Sequence, residues 1–345
     1  MKKHKRKPTI SDVARLAGVG TATVDRVLND RGNVSDEARR KVIEVAREIG
    51  LNRVLPESYR PMVRINLILA RPELPLLARM ANEFRAIARS LRKSMALHVT
   101  TLPDEDPGAL ARTISQTECD AVVVYAQDNV LIHEAVDSLH SRGIPVVTII
   151  SDLTNSRRLA YAGTDHYAAG RTAGYFLSRM CPEGGPMVVL CNQLGFQAHA
   201  DRVAGLRDYL ADHASALHIA RIVEGMDDRV RSRARLEAAF RDIPQIVAVY
   251  NVGAANLGVR AAIESDLLPV RPLFVGFELT EHTARMLRDG VMTLTIDQSP
   301  KLQAQFAIDV LMKHFGIEEG TDGPPYRSTV PIILYGPEYL PPHID

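Results

Sequence analysis

The chain has 345 residues, enough for two or three folding units, and its hydrophobic fraction of 46% and charged fraction of 24% are those of an ordinary soluble globular protein. No apolar run reaches the roughly 18 residues that a membrane span needs. The basic N-terminus leads into no apolar segment, so we expect no secretory signal and a cytoplasmic protein. The cysteines at 119, 181 and 191 form no C-x-x-C pair, and their odd number argues against a disulfide framework.

The charge is distributed unevenly along the chain, although the net charge is only +1. Residues 1–60 contain 14 Lys and Arg against 8 Asp and Glu, whereas the remaining residues contain 28 against 33. A small basic N-terminal unit, here called the head, therefore precedes a mildly acidic remainder, here called the body. This asymmetry is expected when only the head binds a polyanion.

The head contains three short helical patterns in succession. The first begins after Thr9, a good N-cap, and ends at Gly18. The second runs from about 20 to 29, and the third begins at Ser35 and stops at Gly50. Two helices joined by a short turn with Gly, followed by a third helix that supports them, are typical of a helix-turn-helix unit.

The second helix is short enough to enter a major groove of DNA. Arg26 can bind guanine O6 and N7 through two hydrogen bonds, and Ala22 or a Thr methyl group can contact a thymine methyl. Phosphates suit Ser11, the shorter side chains of the second helix and the backbone amides near Ser35. The candidate DNA-binding residues are Ser11, Thr21, Ala22, Thr23, Arg26, Asn29 and Ser35. The alternative is a three-helix unit that binds a partner protein.

In the body, apolar runs of strand length alternate with amphipathic helical patterns. The predicted strands lie at 65–69, 121–125, 145–150, 187–190, 246–250 and 273–277. Continuous apolar strands between helices indicate parallel sheets that are covered on both faces. We therefore predict an all-α helix-turn-helix head and an α/β body of two doubly wound parallel-sheet subdomains with a cleft between them.

Polar residues recur just after the predicted strands, at the sheet edge where such folds bind ligands. Each of them alone is more often a helix cap or a turn residue. The set is Gln127, Asp128, Ser151, Asp152, Asn192, Gln193, Asn251, Glu278 and Gln298.

No catalytic or cofactor-binding motif is present. The chain has no G-x-S-x-G, no G-x-x-x-x-G-K, no G-x-G-x-x-G after a strand and no H-E-x-x-H. The 11 histidines are scattered, and His166, His199 and His282 are interpreted as surface or loop residues. We therefore expect neither an enzyme nor a cofactor or metal site.

The head resembles that of the lac repressor family of bacterial regulators. The resemblance rests on residues 9–29 (TISDVARLAGVGTATVDRVLN), followed by Val34-Ser and Arg40-Lys-Val. It implies that Thr21, Ala22 and Arg26 read bases. Asp25 and Gly20 depart from the small hydroxyl residues usual in the family, so the operator sequence cannot be inferred.

The segment 51–62 is the predicted linker. The resemblance implies a hinge helix that forms on DNA and inserts a Leu into the minor groove, and Leu55 is the candidate for that wedge. Pro56 and Pro61 obstruct a long helix, so a plain linker is the alternative.

The body resembles the sugar-binding fold of periplasmic binding proteins, which such regulators carry as their sensor. The matching segments are 163–174, 202–207, 250–253, 275–278 and 295–298. The resemblance implies that the effector is held by Asp152, Arg202, Asn251, Glu278 and Gln298. The body departs from many relatives at 72–77, where leucines occupy the place of aromatic rings that stack on a pyranose.

The leading interpretation is a ligand-responsive transcription regulator, most simply a repressor, that binds a palindromic operator as a homodimer and senses a sugar or sugar-like metabolite. A transport-type solute-binding protein is the alternative, and an enzyme with a doubly wound fold is a third. The expected boundaries are 1–50 for the head, 51–62 for the linker and 63–345 for the body. We expect the chain to cross between the two subdomains near 160, 292 and 322.

Overall fold

The computed structural model describes residues 8–29, 31, 34–49, 51, 62–92, 94–213, 215–317 and 329–342. Residues 1–7, most of the linker and the expected crossing near 322 lie outside the described residues.

The head contains three helices, as its periodicity predicts. They are α1 (Ile10–Ala17), α2 (Thr21–Leu28) and α3 (Asp36–Glu48). Thr9 and Asp12 form a reciprocal capping box at the start of α1, and Gly18 ends that helix with a φ of 68°, which glycine adopts without strain. The side chain of Ser35 accepts a hydrogen bond from the amide of Ala38 and so caps α3. The apolar faces of the three helices form one small core.

The first subdomain is a five-stranded parallel sheet between helices. Its strands are β1 (Val63–Ala70), β2 (Met95–Leu102), β3 (Ala121–Val124), β4 (Val146–Ile149) and β5 (Ala160–Ala162), in the order β2-β1-β3-β4-β5. Its helices are α4 (Pro75–Ser90), α5 (Pro107–Ser115), α6 (Val130–Ser141) and α12 (Pro300–His314), the last of which packs against α4, β4 and β5. Both faces of the sheet are buried in apolar clusters.

The second subdomain repeats this arrangement. Its helices are α7 (His166–Met180), α8 (Gln197–Asp212), α9 (Arg229–Asp242), α10 (Asn256–Ile263) and α11 (Glu281–Arg288). Its strands are β6 (Gly185–Cys191), β7 (Leu217–Glu224), β8 (Ala248–Asn251), β9 (Leu273–Phe277), β10 (Leu294–Asp297) and β11 (Ile333–Tyr335). The order is β11-β10-β9-β8-β6-β7, with only β11 antiparallel to its neighbour. The fold class predicted from the sequence is confirmed.

The chain crosses between the subdomains at two described points. The first crossing lies between β5 and α7, at residues 163–165. The second lies between β10 and α12, at residues 298–299. The expected position near 292 is wrong, because β10 still belongs to the second sheet.

Glycine brings two helices of the second subdomain unusually close together. A Cβ on Gly205 of α8 would lie 2.1 Å from the carbonyl oxygen of Tyr167, and one on Gly170 of α7 would lie 2.2 Å from the carbonyl oxygen of Arg202. Backbone atoms at such distances cannot move aside cheaply. This contact fixes Arg202 of α8 beside the start of α7.

Within the described residues, no helix is both long enough and apolar enough to cross a bilayer.

Candidate functional site

A cleft lies between the subdomains, at the carboxyl ends of both sheets. Each sheet has a topological switch point, where the strand order reverses: it lies between β1 and β3 in the first sheet and between β6 and β8 in the second. Doubly wound folds bind their ligands at such points. The cleft encloses about 480 Å³ of empty space, including space open to solvent. It is lined by Leu74, Leu76, Leu77, Tyr125, Ile150, Ala198, His199, Arg202, Asp227, Val252, Gly253, Ala254, Phe277, Glu278 and Gln298.

The wall from the first subdomain is apolar apart from one phenol hydroxyl. It consists of three leucines from the loop after β1 and the start of α4, together with Tyr125 and Ile150. The ring of Tyr125 stacks on Phe196 of the second subdomain with 5.0 Å between centroids. All of the charged lining residues come from the second subdomain.

Arg202 is the central cation of the cleft and is 2% exposed. Its guanidinium donates from Nε to His166 Nδ1 at 3.2 Å and from Nη1 to the carbonyl oxygen of Val252 at 2.5 Å, and it lies 3.5 Å from the ring centroid of Phe277. Nη2 is buried without a hydrogen-bond partner. Burial lowers the pKa of Arg202. A buried donor on a cation is costly to leave unpaired, so Arg202 favours an acceptor supplied by a ligand.

Two further lining residues have buried polar atoms without a partner: Nδ1 of His199 and Oε1 of Gln298. Burial, and then the charge of Arg202, lowers the pKa of His199 to about 3, so the imidazole is neutral. Its hydrogen bond to the backbone of Gln193 uses the proton of the ring, which leaves Nδ1 as an acceptor. Both atoms therefore favour a donor from a ligand.

Glu278, directly after β9, lines the cleft and also takes part in a contact between the two subdomains. Arg79 of α4 donates through Nη1 to Glu278 Oε2 at 3.0 Å and to Asp297 Oδ2 at 2.8 Å, while Gln298 donates to Glu278 Oε1 at 2.5 Å. Burial, and next the neighbouring carboxylate of Asp297, raises the pKa of Glu278 to about 7. Glu278 also has a φ of 70°, a strained value for a residue with a side chain.

Asp227 is the second carboxylate of the cleft. Its Oδ1 accepts a hydrogen bond from the amide of Ala254 at 2.8 Å, and burial is the main cause that raises its pKa to about 6. Arg71 of the first subdomain donates to the carbonyl oxygen of Met226 at 2.7 Å, directly before it. A Cβ on Gly253 would lie 2.3 Å from Asp227 Oδ1, so this loop passes close to the carboxylate only because residue 253 is glycine.

Of the five effector residues expected from the resemblance, Arg202, Glu278 and Gln298 line the cleft, whereas Asp152 and Asn251 do not. The carboxylate of Asp152 points away from the cleft and accepts hydrogen bonds from Thr148 and Arg158 of its own subdomain. The cleft position after β4 belongs to Ile150.

Asn251 is fully buried below the cleft. It donates to Asn256 at 2.8 Å and accepts from the amide of Gly253 at 3.1 Å. Its hydrogen bonds thus shape the loop that lines the cleft. The remaining polar positions expected from the sequence, Gln127, Asp128, Ser151, Asn192 and Gln193, are also not among the lining residues.

The interpretation of His166 and His199 as surface or loop residues is wrong. They are 4% and 6% exposed and belong to α7 and α8. Their helical positions could not be recognised as inward-facing because the alternation of small residues around them gives no clear apolar face.

Sequence reasoning missed Asp227, Arg79 and Arg71. Asp227 was missed because β7, the strand before it, was not recognised. Arg79 and Arg71 lie on a helix and a loop of the first subdomain and are half-buried, and no sequence signal distinguishes them from the exposed arginines of the chain.

In the head, six of the seven candidate DNA-binding residues are exposed, and Thr23 is half-buried. Thr21, Ala22 and Arg26 lie on the exposed side of α2, opposite the buried Val24 and Val27. Asn29 donates to the carboxylate of Asp25 at 2.8 Å, which also lies near Arg31 at 3.5 Å. The acid at position 25 is therefore partly neutralised within the head.

In comparisons with known proteins, the head and the body match two different family models. Residues 9–52 match the family model "Bacterial regulatory proteins, lacI family", and residues 107–319 match "Periplasmic binding protein domain". The ribose import binding protein RbsB of Bacillus subtilis is 25% identical over 195 residues, which are 56% of this chain and 62% of that protein. The HTH-type transcriptional regulator DegA of the same organism is 28% identical over 153 residues, which are 42% of this chain and 44% of the regulator. The chain thus matches less than two thirds of the length of either relative.

Among solved structures, the glucose-galactose binding protein GanP of Geobacillus stearothermophilus superposes with a TM-score of 0.72 at 20% identity, over 81% of this chain and 99% of that protein. This likeness shows the fold of the body. Because the second family model covers more than half of the chain, the chain belongs to the periplasmic binding protein domain family, and its head is that of the lacI family of bacterial regulatory proteins.

Proposed function

We propose that this protein is a sequence-specific transcription regulator, acting as a repressor, whose DNA affinity is controlled by a neutral sugar or sugar-like metabolite. The observation that carries the proposal is the joint presence, in one chain, of a helix-turn-helix head with an exposed α2 face and a polar cleft between two subdomains. Since the operator lies on chromosomal DNA, the protein acts in the cytoplasm.

The polar groups of the cleft define the chemistry of the effector. Arg202 offers a donor, whereas His199 Nδ1, Gln298 Oε1 and the carboxylates of Asp227 and Glu278 offer acceptors. A ligand must therefore bring several donors and at least one acceptor, which a set of hydroxyl groups does. An anionic ligand would place its charge beside the carboxylate of Asp227, so sugar phosphates and sugar acids are disfavoured.

The apolar wall opposite these groups suits the carbon face of such a ligand. Leucines at 74, 76 and 77 exclude water from this side without supplying hydrogen bonds. The expected order is that the effector first binds the second subdomain and that the first subdomain then closes over it. Contacts of Arg71 and Arg79 across the cleft stabilise the closed arrangement.

On the DNA, Arg26, Thr21 and Ala22 of α2 read base edges, while Ser11, Thr23, Asn29 and Ser35 contact phosphates. One head covers only a half-site, so the regulator binds a palindromic operator as a homodimer held together by the body. The coupling between effector and operator is of the size typical of allosteric proteins, about 1–3 kcal/mol, and is reciprocal.

The test begins with selection of a binding sequence from random duplex DNA, followed by titration with and without neutral pentoses and hexoses. We expect a palindromic sequence, thermal stabilisation by at least one neutral monosaccharide, and no stabilisation by the matching 6-phosphates and uronic acids. Arg202→Ala should abolish the stabilisation but leave operator binding, and Arg26→Ala should do the opposite. A protein that binds a monosaccharide but enriches no DNA sequence would be a solute-binding protein, and the proposal would be wrong.

A further inference from the structure

Arg202, the proposed effector anchor, is held by a histidine rather than by a carboxylate. Its Nε–H points to Nδ1 of His166 at 3.2 Å, and Nε2 of the same imidazole lies 2.5 Å from the carbonyl oxygen of Ile150. A carbonyl oxygen can only accept, so Nε2 carries the proton and Nδ1 accepts from Arg202. Burial and the charge of Arg202 lower the pKa of His166, which keeps this neutral tautomer.

His166 lies next to the first crossing between the subdomains. It is the first residue of α7, directly after the first crossing between the subdomains. Tyr161, at the other end of this crossing, donates to the same Ile150 oxygen at 3.0 Å or to the carbonyl oxygen of Thr164 at 3.1 Å, and its hydroxyl oxygen lies 3.0 Å from Nε2 of His166. The imidazole of His166 therefore connects Arg202, the proposed effector anchor, with the first crossing between the subdomains.

The second crossing reaches the same residue. Gln303 of α12 accepts a hydrogen bond from the amide of Ile150 at 3.0 Å and donates to the carbonyl oxygen of Gln298 at 3.0 Å. Gln298 lies in that crossing and lines the cleft. The backbone carbonyl of Ile150 is thus connected with the first crossing through His166, and its backbone amide is connected with the second crossing through Gln303.

Ile150 itself is in a strained conformation. Its φ is 64°, in the left-handed region that a β-branched residue rarely adopts. Such strain persists only where surrounding contacts hold the residue. Those contacts are the hydrogen bonds that the Ile150 carbonyl accepts from His166 and Tyr161 and the one that its amide donates to Gln303, so a change in them shifts the conformation at the end of β4.

We propose that His166 is a positioning residue that couples the guanidinium of Arg202 to the hinge at Ile150, so that occupation of the cleft changes the closure of the two subdomains. An acceptor atom on Arg202 Nη2 draws the guanidinium towards the ligand, and the imidazole transmits this displacement to the Ile150 peptide. The identity of that acceptor as part of a sugar rests on the proposed function, but the coupling of His166 to the hinge does not.

The experiment measures closure in the absence of both effector and DNA. Spin labels on Glu134→Cys in the first subdomain and Ala234→Cys in the second, both exposed, report the distance between the subdomains in the full-length protein diluted with unlabelled protein. Cys119 and Cys181 are replaced by Ser, and the buried Cys191 is retained. The variants are His166→Leu, Arg202→Met and the double variant. The control is Thr164→Val, which loses a hydrogen bond of the first crossing, from the Thr164 hydroxyl to the carbonyl oxygen of Val330, and keeps the imidazole.

We expect His166→Leu and Arg202→Met each to change the ratio of open to closed populations, and the double variant to depart from additivity by about threefold or more, because the two residues act through one contact. Thr164→Val and Arg202→Met should be additive within error. His166→Gln, which retains a donor and an acceptor, should restore most of the wild-type distribution and covers the case in which His166→Leu fails to fold. Nitrogen chemical shifts of His166 in the wild-type protein should show protonation at Nε2 alone.

Additivity of His166→Leu and Arg202→Met, or protonation of His166 at Nδ1, would overturn the coupling. Neither measurement uses a sugar or an operator. A protein that shows the coupling but fails the operator and monosaccharide assays would therefore refute the proposed function alone.

Discussion

Glu278 should make the stability of the body depend on pH in a direction opposite to that of an ordinary surface carboxylate. Its pKa is raised from 4.5 to about 7, chiefly by burial and then by Asp297. Between these pH values the native state binds a proton that the unfolded state has released. The free energy of unfolding therefore falls as pH rises through this range and stays lower above it. Asp227, whose pKa is raised to about 6, contributes in the same direction.

The size of the effect follows from the shift. One pKa unit corresponds to about 1.4 kcal/mol, and a shift of this extent gives a loss of about 2–3 kcal/mol for Glu278 between pH 5 and 8. His166 and His199 act against it, because their lowered pKa values make the unfolded state bind more protons at acid pH. The comparison must therefore be between two proteins that share these histidines.

The variant for this comparison is Glu278→Gln, which keeps the shape of the side chain and cannot ionise. The chain has no Trp, so urea unfolding is followed by circular dichroism at several pH values. The stability of the variant relative to wild type should rise by about 2–3 kcal/mol from pH 5 to 8. Glu264→Gln, at a half-exposed surface ion pair with Arg260, is the matched control and should give parallel curves. Parallel curves for Glu278→Gln and wild type would show that the carboxylate is already ionised in the native state and that the reasoning is wrong.

Three further predictions address the head, the assembly and the helix contact. Arg26→Ala should weaken binding to the selected operator by about 1–3 kcal/mol and relax specificity at one base pair, as measured by fluorescence anisotropy, and an equal loss on random DNA would exclude a base-reading role. Deletion of residues 1–61 should leave a dimer in sedimentation, and the half-sites of the selected operator should be centred about 10–10.5 base pairs apart or a multiple of that; a monomeric body would contradict the arrangement. Gly205→Ala, whose new Cβ meets a backbone oxygen at 2.1 Å, should lower the free energy of unfolding by about 1–3 kcal/mol, whereas Gly336→Ala, with nothing within 4 Å, should not; equal stability of the two would show that α7 and α8 can separate freely.

The sequence predicted the interior of the fold better than its edges. The six strands that were predicted are mainly apolar runs, and all of them exist, with ends that differ by no more than two residues. Five strands were not predicted, among them β2 and β7, which lie at the outer edges of the two sheets. Edge strands are half-exposed and alternate polar with apolar side chains, as in MALHVTTL and LHIARIVE, so they lack the continuous apolar pattern.

The site was predicted in part, for a reason that concerns backbone geometry. Counting residues after an apolar run selected Asp152, but the cleft position falls on Ile150, because β4 ends at Ile149 and the next residue takes a left-handed conformation. A pattern of residue types contains no information about such a φ angle in a β-branched residue. The residue directly after β9 has the same left-handed conformation, but there the predicted strand ended at the right residue and Glu278 was identified. Because β10 was not predicted, Gln298 was assigned to the effector site through the family resemblance.

The departures from ordinary folding rules are concentrated in one place, and this concentration is itself an argument about function. Arg202 is a buried cation that forms no ion pair with a carboxylate. Glu278 and Ile150 have left-handed backbones, and the carboxyl groups of Glu278 and Asp297 are buried side by side around Arg79. Each of these features lowers stability, and none is needed for the apolar clusters that each subdomain already buries. Natural sequences break such rules mainly where a ligand or a conformational change requires it. The buried charged groups all lie on the second subdomain, which supplies the polar contacts to the effector, whereas the apolar wall of the first subdomain contributes only the strained backbone of Ile150 and otherwise excludes water.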